Sequence, residues 1–377
     1  MKNVIILGGG VGGTIVANAL AKRFDPTEVQ VTLISDSSKH VYLPGLISIA
    51  MGHDGPESIA RSEKSLLSSK VNFLDCGAEK IDAKENRVLA GGSYRDYDYL
   101  VIATGSRLVP DEIPGYSEAA LHFYSVEGAL SLREKLSNFT GGKIVIGVAS
   151  VPYRCPPAPL EFTFLLDEYF TRKGIRDKVE IEYLYPINGV FPIRDVEPML
   201  AQLLEERKVT ARTLFNTESI DQVKRQVYSL EGESVSYDML VMVPPHRGSK
   251  LVENSGLGDR GGWVPTDRRT LKVKGFDNVY ALGDATDIPI SKAGSTAHYE
   301  AKIVSDSLIS NLEGLSEPPK QYDGHVFCFL ETGYGKGITL NFDYSHPPKP
   351  SQPNRLAHIE KIALNKLYWI TVPKARV

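Results

Sequence analysis

One short segment near the start of the chain limits its fold more than any other feature. Val4-Ile5-Ile6-Leu7 is an apolar, branched run of strand length, and Gly8-Gly9-Gly10-Val11-Gly12-Gly13 follows at once. Thr14 to Lys22 then reads as an alanine-rich helix, and Val29 to Ile34 as a second strand ending at Ser35-Asp36. Gly8, Gly10 and Gly13 have the spacing G-x-G-x-x-G. Glycine there permits a tight turn and lets backbone N–H groups approach a pyrophosphate at a helix N-terminus. The pattern alone is weak, but between a strand and a helix it predicts a dinucleotide-binding unit built on a parallel sheet. Ser35 or Asp36 is then placed to hydrogen-bond the adenosine ribose.

The rest of the 377 residues repeats this grammar. At roughly 150 residues per domain, two or three domains are expected. Tyr99 to Ala103 is a buried strand ending in Thr104-Gly105, and Asn278 to Leu282 is one feeding Gly283-Asp284. Lys143 to Ile146 opens a second unit, with a helix near Pro159 to Lys173, a strand Val179 to Leu184 and a closing strand Tyr237 to Val243. A helix from about Ser295 to Asn311 returns to the first unit, and Pro347 to Pro353 is a proline-rich linker to a short tail. The fold class is therefore α/β, with two Rossmann-like dinucleotide-binding domains, the first discontinuous. The boundaries fall at 1–113 with 256–315 for the first domain, 114–255 for the second and 316–377 for a C-terminal segment. In the second unit the strand runs into Gly147-Val148-Ala149-Ser150-Val151-Pro152, which has a single glycine and a proline at the expected helix start. A nicotinamide dinucleotide is not expected there.

Composition excludes several classes. The net charge of −3 gives no footprint for nucleic acid. No run of about 18 uncharged apolar residues appears, so no spanning helix is expected. The apolar run at the start is too short for a signal peptide, and the chain is expected to stay on the cytoplasmic side. The three cysteines, Cys76, Cys155 and Cys328, contain no CxxC spacing, so no metal site is expected. Cys155 lies in Pro152-Tyr153-Arg154-Cys155-Pro156-Pro157-Ala158-Pro159-Leu160-Glu161, where four prolines fix one sulfur in a rigid loop. Arg154 beside it would favour the thiolate.

Leu100 to Gly105 reads LVIATG and Val279 to Asp284 reads VYALGD. With the first glycine loop, these resemble the pyridine nucleotide–disulfide oxidoreductase superfamily. The resemblance implies FAD held by Gly8, Gly10, Val11, Gly12, Gly13, Ser35, Asp36, Pro44, Ala78, Ala103, Thr104, Gly105, Gly283 and Asp284. It also places Lys292 and Gly294, at the start of the last helix of that domain, near the flavin ring, where Lys292 would stabilise the anionic reduced form.

The CPPAPLEF segment, Lys173 to Glu180, and Gly324 to Gly337 (GHVFCFLETGYGKG) resemble the sulfide:quinone oxidoreductases and the flavoprotein subunit of flavocytochrome c sulfide dehydrogenases. That resemblance implies Cys155 and Cys328 as a redox pair facing each other across the flavin, with Glu161 handling protons. It implies sulfide as substrate and a membrane quinone as acceptor. The family's third cysteine corresponds to Tyr124, its neighbouring histidine to Gly128, and a second histidine falls near Pro192. Where the flavocytochrome group tethers its flavin, this chain has Tyr42. FAD is therefore expected to be non-covalent, and Cys76 to be a structural thiol.

The tail from Arg355 has Ile359, Ile362, Ala363, Leu367, Tyr368 and Ile370 interleaved with Lys361, Lys366, Lys374 and Arg376. It reads as a peripheral membrane anchor, with Tyr368-Trp369 at headgroup level. A homo-oligomer is compatible with this reading. Three other functions compete: a cytochrome c acceptor, a type II NADH:quinone oxidoreductase, and a flavin- and sulfur-binding protein without turnover. The absent signal peptide opposes the first and the Gly147 loop the second. The lost histidines keep the third open.

Overall fold

The computed structural model describes residues 1–315 and 320–375, so Arg376 of the basic tail and the 315/316 boundary lie partly outside the described residues. Chain order sets the first unit: β1 (Lys2–Leu7), α1 (Val11–Arg23), β2 (Val29–Ser35), β3 (Asn72–Asp75) and β4 (Tyr99–Ile102). The second unit is β5 (Gly142–Val148), α2 (Ala158–Arg172), β6 (Val179–Leu184), β7 (Val209–Arg212) and β8 (Met239–Val243). The chain then returns with β9 (Val279–Ala281) and α3 (Gly294–Glu313), and ends in the hairpin β10 (Val326–Gly333) and β11 (Lys336–Phe342) and the helix α4 (Arg355–Thr371).

The first sheet has the order β9-β4-β1-β2-β3 and the second β7-β6-β5-β8. All pairings in both are parallel. Val4 to Leu7 are buried because helices cover one face of the sheet and other elements the other. Ile15, Val16 and Leu20 of α1 pack with Val304 and Leu308 of α3 on one side. A three-stranded antiparallel meander, Ala78–Asp82, Arg87–Ala90 and Ser93–Asp96, covers the other through Ile81, Val88 and Ala90. The second unit repeats the device with Thr217–Asp221, Gln226–Ser229 and Ser234–Ser236.

The helices expected near Pro159–Lys173 and Ser295–Asn311 are α2 and α3, the latter running two residues further to Glu313 before the left-handed Gly314. Cys76 lies among Leu74 and Ala78, at the rim of the first unit's core. The β10–β11 hairpin lies on α2, and Leu330, Ile338 and Leu340 join the second unit's core. Cys155 and Cys328 pack against that same core.

Candidate active site

The first glycine loop divides into packed and open positions. A Cβ on Gly8 would lie 2.3 Å from the Ala103 carbonyl oxygen, and φ there is +108°. One on Gly13 would meet the Gly8 carbonyl oxygen at 2.0 Å, and one on Gly12 the Leu282 side chain at 2.0 Å. These three let β1, β4 and α1 approach closely. Gly10 meets nothing within 4 Å, and neither do Gly105 and Gly294. Gly10 caps α1, which has Val11 as its first residue and no acidic residue of its own in the first turn, while the buried Glu63 carboxylate of a neighbouring segment stands beside Gly9 and bonds Thr14.

Ser35 is buried at the end of β2, whereas Asp36 beyond it is exposed. The Thr104 and Ser106 hydroxyls are buried without a partner. Buried polar atoms are normally satisfied, so an extended polar ligand running from α1 past residues 104–106 to α3 would fit these residues. Ala78 is partly buried at the head of the meander, and Pro44 is exposed in a short turn.

Asp284 lies in the turn after β9, and burial raises its pKa against the pull of Lys292 and Arg154. Beneath that turn the Gly283 N–H donates to Glu300 at 2.5 Å. Glu300 is fully buried, its other oxygen has no partner, and burial pushes its pKa to about 8. Lys292 is buried with Nζ on the carbonyls of Thr286 at 2.7 Å and Asp284 at 3.2 Å, 4.1 Å from the centre of the Trp263 ring. Its main-chain carbonyl accepts from the Cys155 N–H at 2.6 Å, which ties the cysteine loop to the first unit.

Cys155 holds a left-handed backbone, φ +54°, before the first turn of α2. A non-glycine residue keeps that conformation only where its surroundings fix it. Burial raises the pKa of both thiols, that of Cys328 to about 11, where the Ser295 hydroxyl 3.7 Å away opposes the rise. Cys328, Glu161 and Lys361 all act electrostatically on Cys155. The Arg154 guanidinium turns instead to the Tyr124 carbonyl at 2.8 Å and lies 5.8 Å from the Tyr124 ring. Burial, not Arg154, is the largest influence on the Cys155 thiol. A flanking residue in an irregular loop projects its side chain elsewhere.

Glu161 is buried on the first turn of α2. Its carboxylate pairs with Lys361 of α4 and accepts from the Glu331 N–H at 3.2 Å. The Glu331 carboxylate lies 2.9 Å from His358 Nδ1, also on α4. Further along α4, Asn365 accepts from the Tyr42 hydroxyl, and Tyr368 is 2.6 Å from His40 Nε2. His40 Nδ1 reaches the fully buried Glu63 at 3.0 Å, and Glu63 accepts from Thr14 of α1 at 2.7 Å.

The helix thus turns a polar stripe inward, with spacing near i, i+3, i+7 and i+10, and leaves Leu356, Ile359, Ile362, Leu364, Leu367 and Ile370 exposed. Tyr368 is 5% exposed, so it is not the headgroup-level aromatic expected of it. Its hydroxyl has a buried partner, which a tyrosine's polar tip requires when enclosed. Sequence reasoning missed Glu331, His358, Glu63, His40 and Glu300. The available signal was the polar stripe at His358, Lys361, Asn365 and Tyr368, which has the same helical period as the apolar one.

Residues 2–151 match the family model described as pyridine nucleotide-disulphide oxidoreductase. The chain is 30% identical over 367 residues to the mitochondrial sulfide:quinone oxidoreductase of Dictyostelium discoideum, covering 94% of this chain and 81% of that protein. It is 27% identical over 362 residues to the one of Mus musculus, covering 93% and 80%. The crystal structure of the sulfide:quinone oxidoreductase from Aquifex aeolicus superposes with a TM-score of 0.88 at 25% identity, over 100% of this chain and 92% of that one.

Proposed function

The chain belongs to the sulfide:quinone oxidoreductase family, and from that premise we propose that it oxidises sulfide to sulfane sulfur through Cys155 and Cys328 and passes the electrons by way of FAD to a membrane quinone. It is an oxidoreductase of mixed α/β fold. The observation that carries the proposal is the placing of two cysteines from distant parts of the chain against one core, beside a buried Glu161–Lys361 pair.

Both parallel sheets are read as Rossmann-like units, bounded at 1–113 with 256–315 and at 114–255. The helix Lys250–Asn254 at the second boundary packs through Val252 into the first unit's core. FAD would be held by Gly10, Gly105 and Gly294, which leave open space, together with Ser35, Asp36, Thr104, Gly283, Asp284 and Lys292. When bound, it supplies the two-electron carrier that separates sulfide oxidation from quinone reduction. The Tyr42 and Tyr124 side chains cannot form the thioether links of cysteine, so the flavin is non-covalent.

The chain's own residues set the sulfur chemistry. Burial disfavours a free thiolate at either cysteine while Lys361 opposes that effect, so the oxidised pair is taken as the electrophile that sulfide attacks. Hydrosulfide attacks one sulfur, and the other leaves as a thiolate facing Lys361. Glu161 takes the proton of the incoming S–H group. The exposed apolar face of α4 lies on the membrane at its cytoplasmic face, and no described helix is long and apolar enough to cross one. The test is anaerobic titration with sulfide while recording the flavin absorbance band. Stoichiometric bleaching is expected, and an unchanged spectrum would overturn the proposal.

A further inference from the structure

Two carboxylates, Glu161 and Glu331, lie in the interior between the cysteines and α4. Two like charges buried side by side are unfavourable unless cations answer them. The helix supplies a partner to each, one turn apart: the Lys361 ammonium pairs with Glu161, and the His358 ring places Nδ1 2.9 Å from Glu331. The two carboxylate-bearing segments are themselves joined by the Glu331 N–H, which donates to Glu161 at 3.2 Å. Side-chain exposure falls stepwise along the set, from 32% at His358 to 11% at Glu331 and 7% at Glu161. A line of titratable groups therefore leads from solvent to the cysteines, and only its inner end has a role in the chemistry described so far.

The reaction needs such a line. When hydrosulfide attacks the oxidised Cys155–Cys328 pair, a new S–S bond forms and the old one breaks. The incoming sulfur is oxidised, and the leaving cysteine takes the electron pair as a thiolate. The proton remains on the outer sulfur until a base removes it. Glu161 can accept it, but then Lys361 is left without its counter-charge in the interior, which drives the proton onward. Resting on the proposed sulfide chemistry, we propose that Glu331 and His358, next outward from the Glu161–Lys361 pair, conduct this proton to solvent, with His358 as the outer port. Burial raises the pKa of Glu331, opposed by Lys361 and His358 and reinforced by Glu161, so it holds a proton more readily than a surface carboxylate. His358 is a proton-transfer residue acting through Glu331 and has no contact with sulfur.

The test uses the full-length, FAD-loaded protein in anaerobic stopped flow with sulfide. Replacing His358 by Ala should lower the limiting rate of flavin bleaching by about tenfold or more, the scale of a lost proton-transfer group, with the half-saturating sulfide concentration unchanged. Added imidazole should restore the rate, because it fills the space left by the ring. His358→Asn keeps a donor to Glu331 but cannot relay a proton, and should be as slow without responding to imidazole. Since attack precedes proton removal, a cysteine persulfide should accumulate in both variants and be trapped by alkylation and weighed by mass spectrometry. Wild-type limiting rates in both variants would overturn the proposal. So would slow bleaching of His358→Ala that imidazole does not restore, which would leave His358 a helix anchor only. Wild-type protein that sulfide does not bleach would overturn the proposed function and this path together.

Discussion

Cys155 shows why a residue's chemistry can be legible when its surroundings are not. Four prolines around one cysteine announced a fixed sulfur, and the structure holds that residue at φ +54° with its N–H on the Lys292 carbonyl. The charges that act on it come from Cys328, Glu161 and Lys361, the outer two of which lie far along the chain, and no local pattern could supply them. In the proposed function Cys155→Ser and Cys328→Ser should each abolish bleaching by sulfide, because either change removes one member of the pair that sulfide would attack. Cys76→Ser should leave it nearly intact, since Cys76 packs at the rim of the other core. Stopped-flow bleaching of the three variants decides this, and near-normal reduction in either of the first two breaks the two-cysteine scheme.

Glu300 offers a second test at this scale. Its pKa is near 8 in the folded protein against 4.5 as a free side chain. The native state keeps a proton that the unfolded state gives up, so this group's contribution is complete below about pH 4.5 and is lost as pH rises through 8. Denaturant unfolding of the flavin-free protein should show that loss, and Glu300→Gln should flatten it. An unchanged slope would mean that Glu300 titrates normally.

Among the elements, α4 is amphipathic as the sequence suggested, but the part its polar stripe plays toward the interior was not legible. Its apolar residues stand outward and its polar stripe inward, because Glu161, Glu331 and His40 wait on the body to receive Lys361, His358 and Tyr368. Burying charged side chains is normally costly, so periodicity alone argues for an apolar interior face; only the partners, contributed by distant segments, reverse the preference. The outward row, with Leu356 at 62% and Ile359 at 59% exposure, is what binds lipid in the proposed function. Ile359→Glu with Leu367→Glu should therefore reduce cosedimentation with liposomes while leaving bleaching by soluble sulfide unchanged. If the double variant pellets as well as the parent, the helix is not the docking surface. Truncation before Arg355 is a harsher change, because it also strips Lys361 from Glu161, and it should impair sulfide reactivity as well as lipid binding.

At the scale of the whole molecule, the two parallel sheets are built alike and treated differently where a dinucleotide would lie. In the first, β1 ends at Leu7 and α1 begins at Val11, with Gly10 open to the space between. In the second, β5 ends at Val148 and α2 begins only at Ala158. The intervening residues are the cysteine loop, with Pro152, Pro156 and Pro157 where the first unit has its glycines. A Cβ on Gly147 would already meet the Met242 side chain at 2.8 Å. Tyr153 and Tyr185, hydroxyls 3.0 Å apart, are buried just beyond. This difference was readable in the sequence, because a glycine loop is a local signal and its absence is equally local. In the proposed function this difference becomes a division of labour, with the flavin on the first unit and the sulfur chemistry on the second. NADH and NADPH should accordingly fail to bleach the flavin under anaerobic conditions in which sulfide bleaches it. The comparison controls itself, since the same sample answers both questions and sulfide bleaching proves that the flavin is present and reducible. Rapid stoichiometric bleaching by NADH would mean that a nicotinamide finds a site despite the cysteine loop, and would transfer the chain's chemistry from sulfide to NADH oxidation.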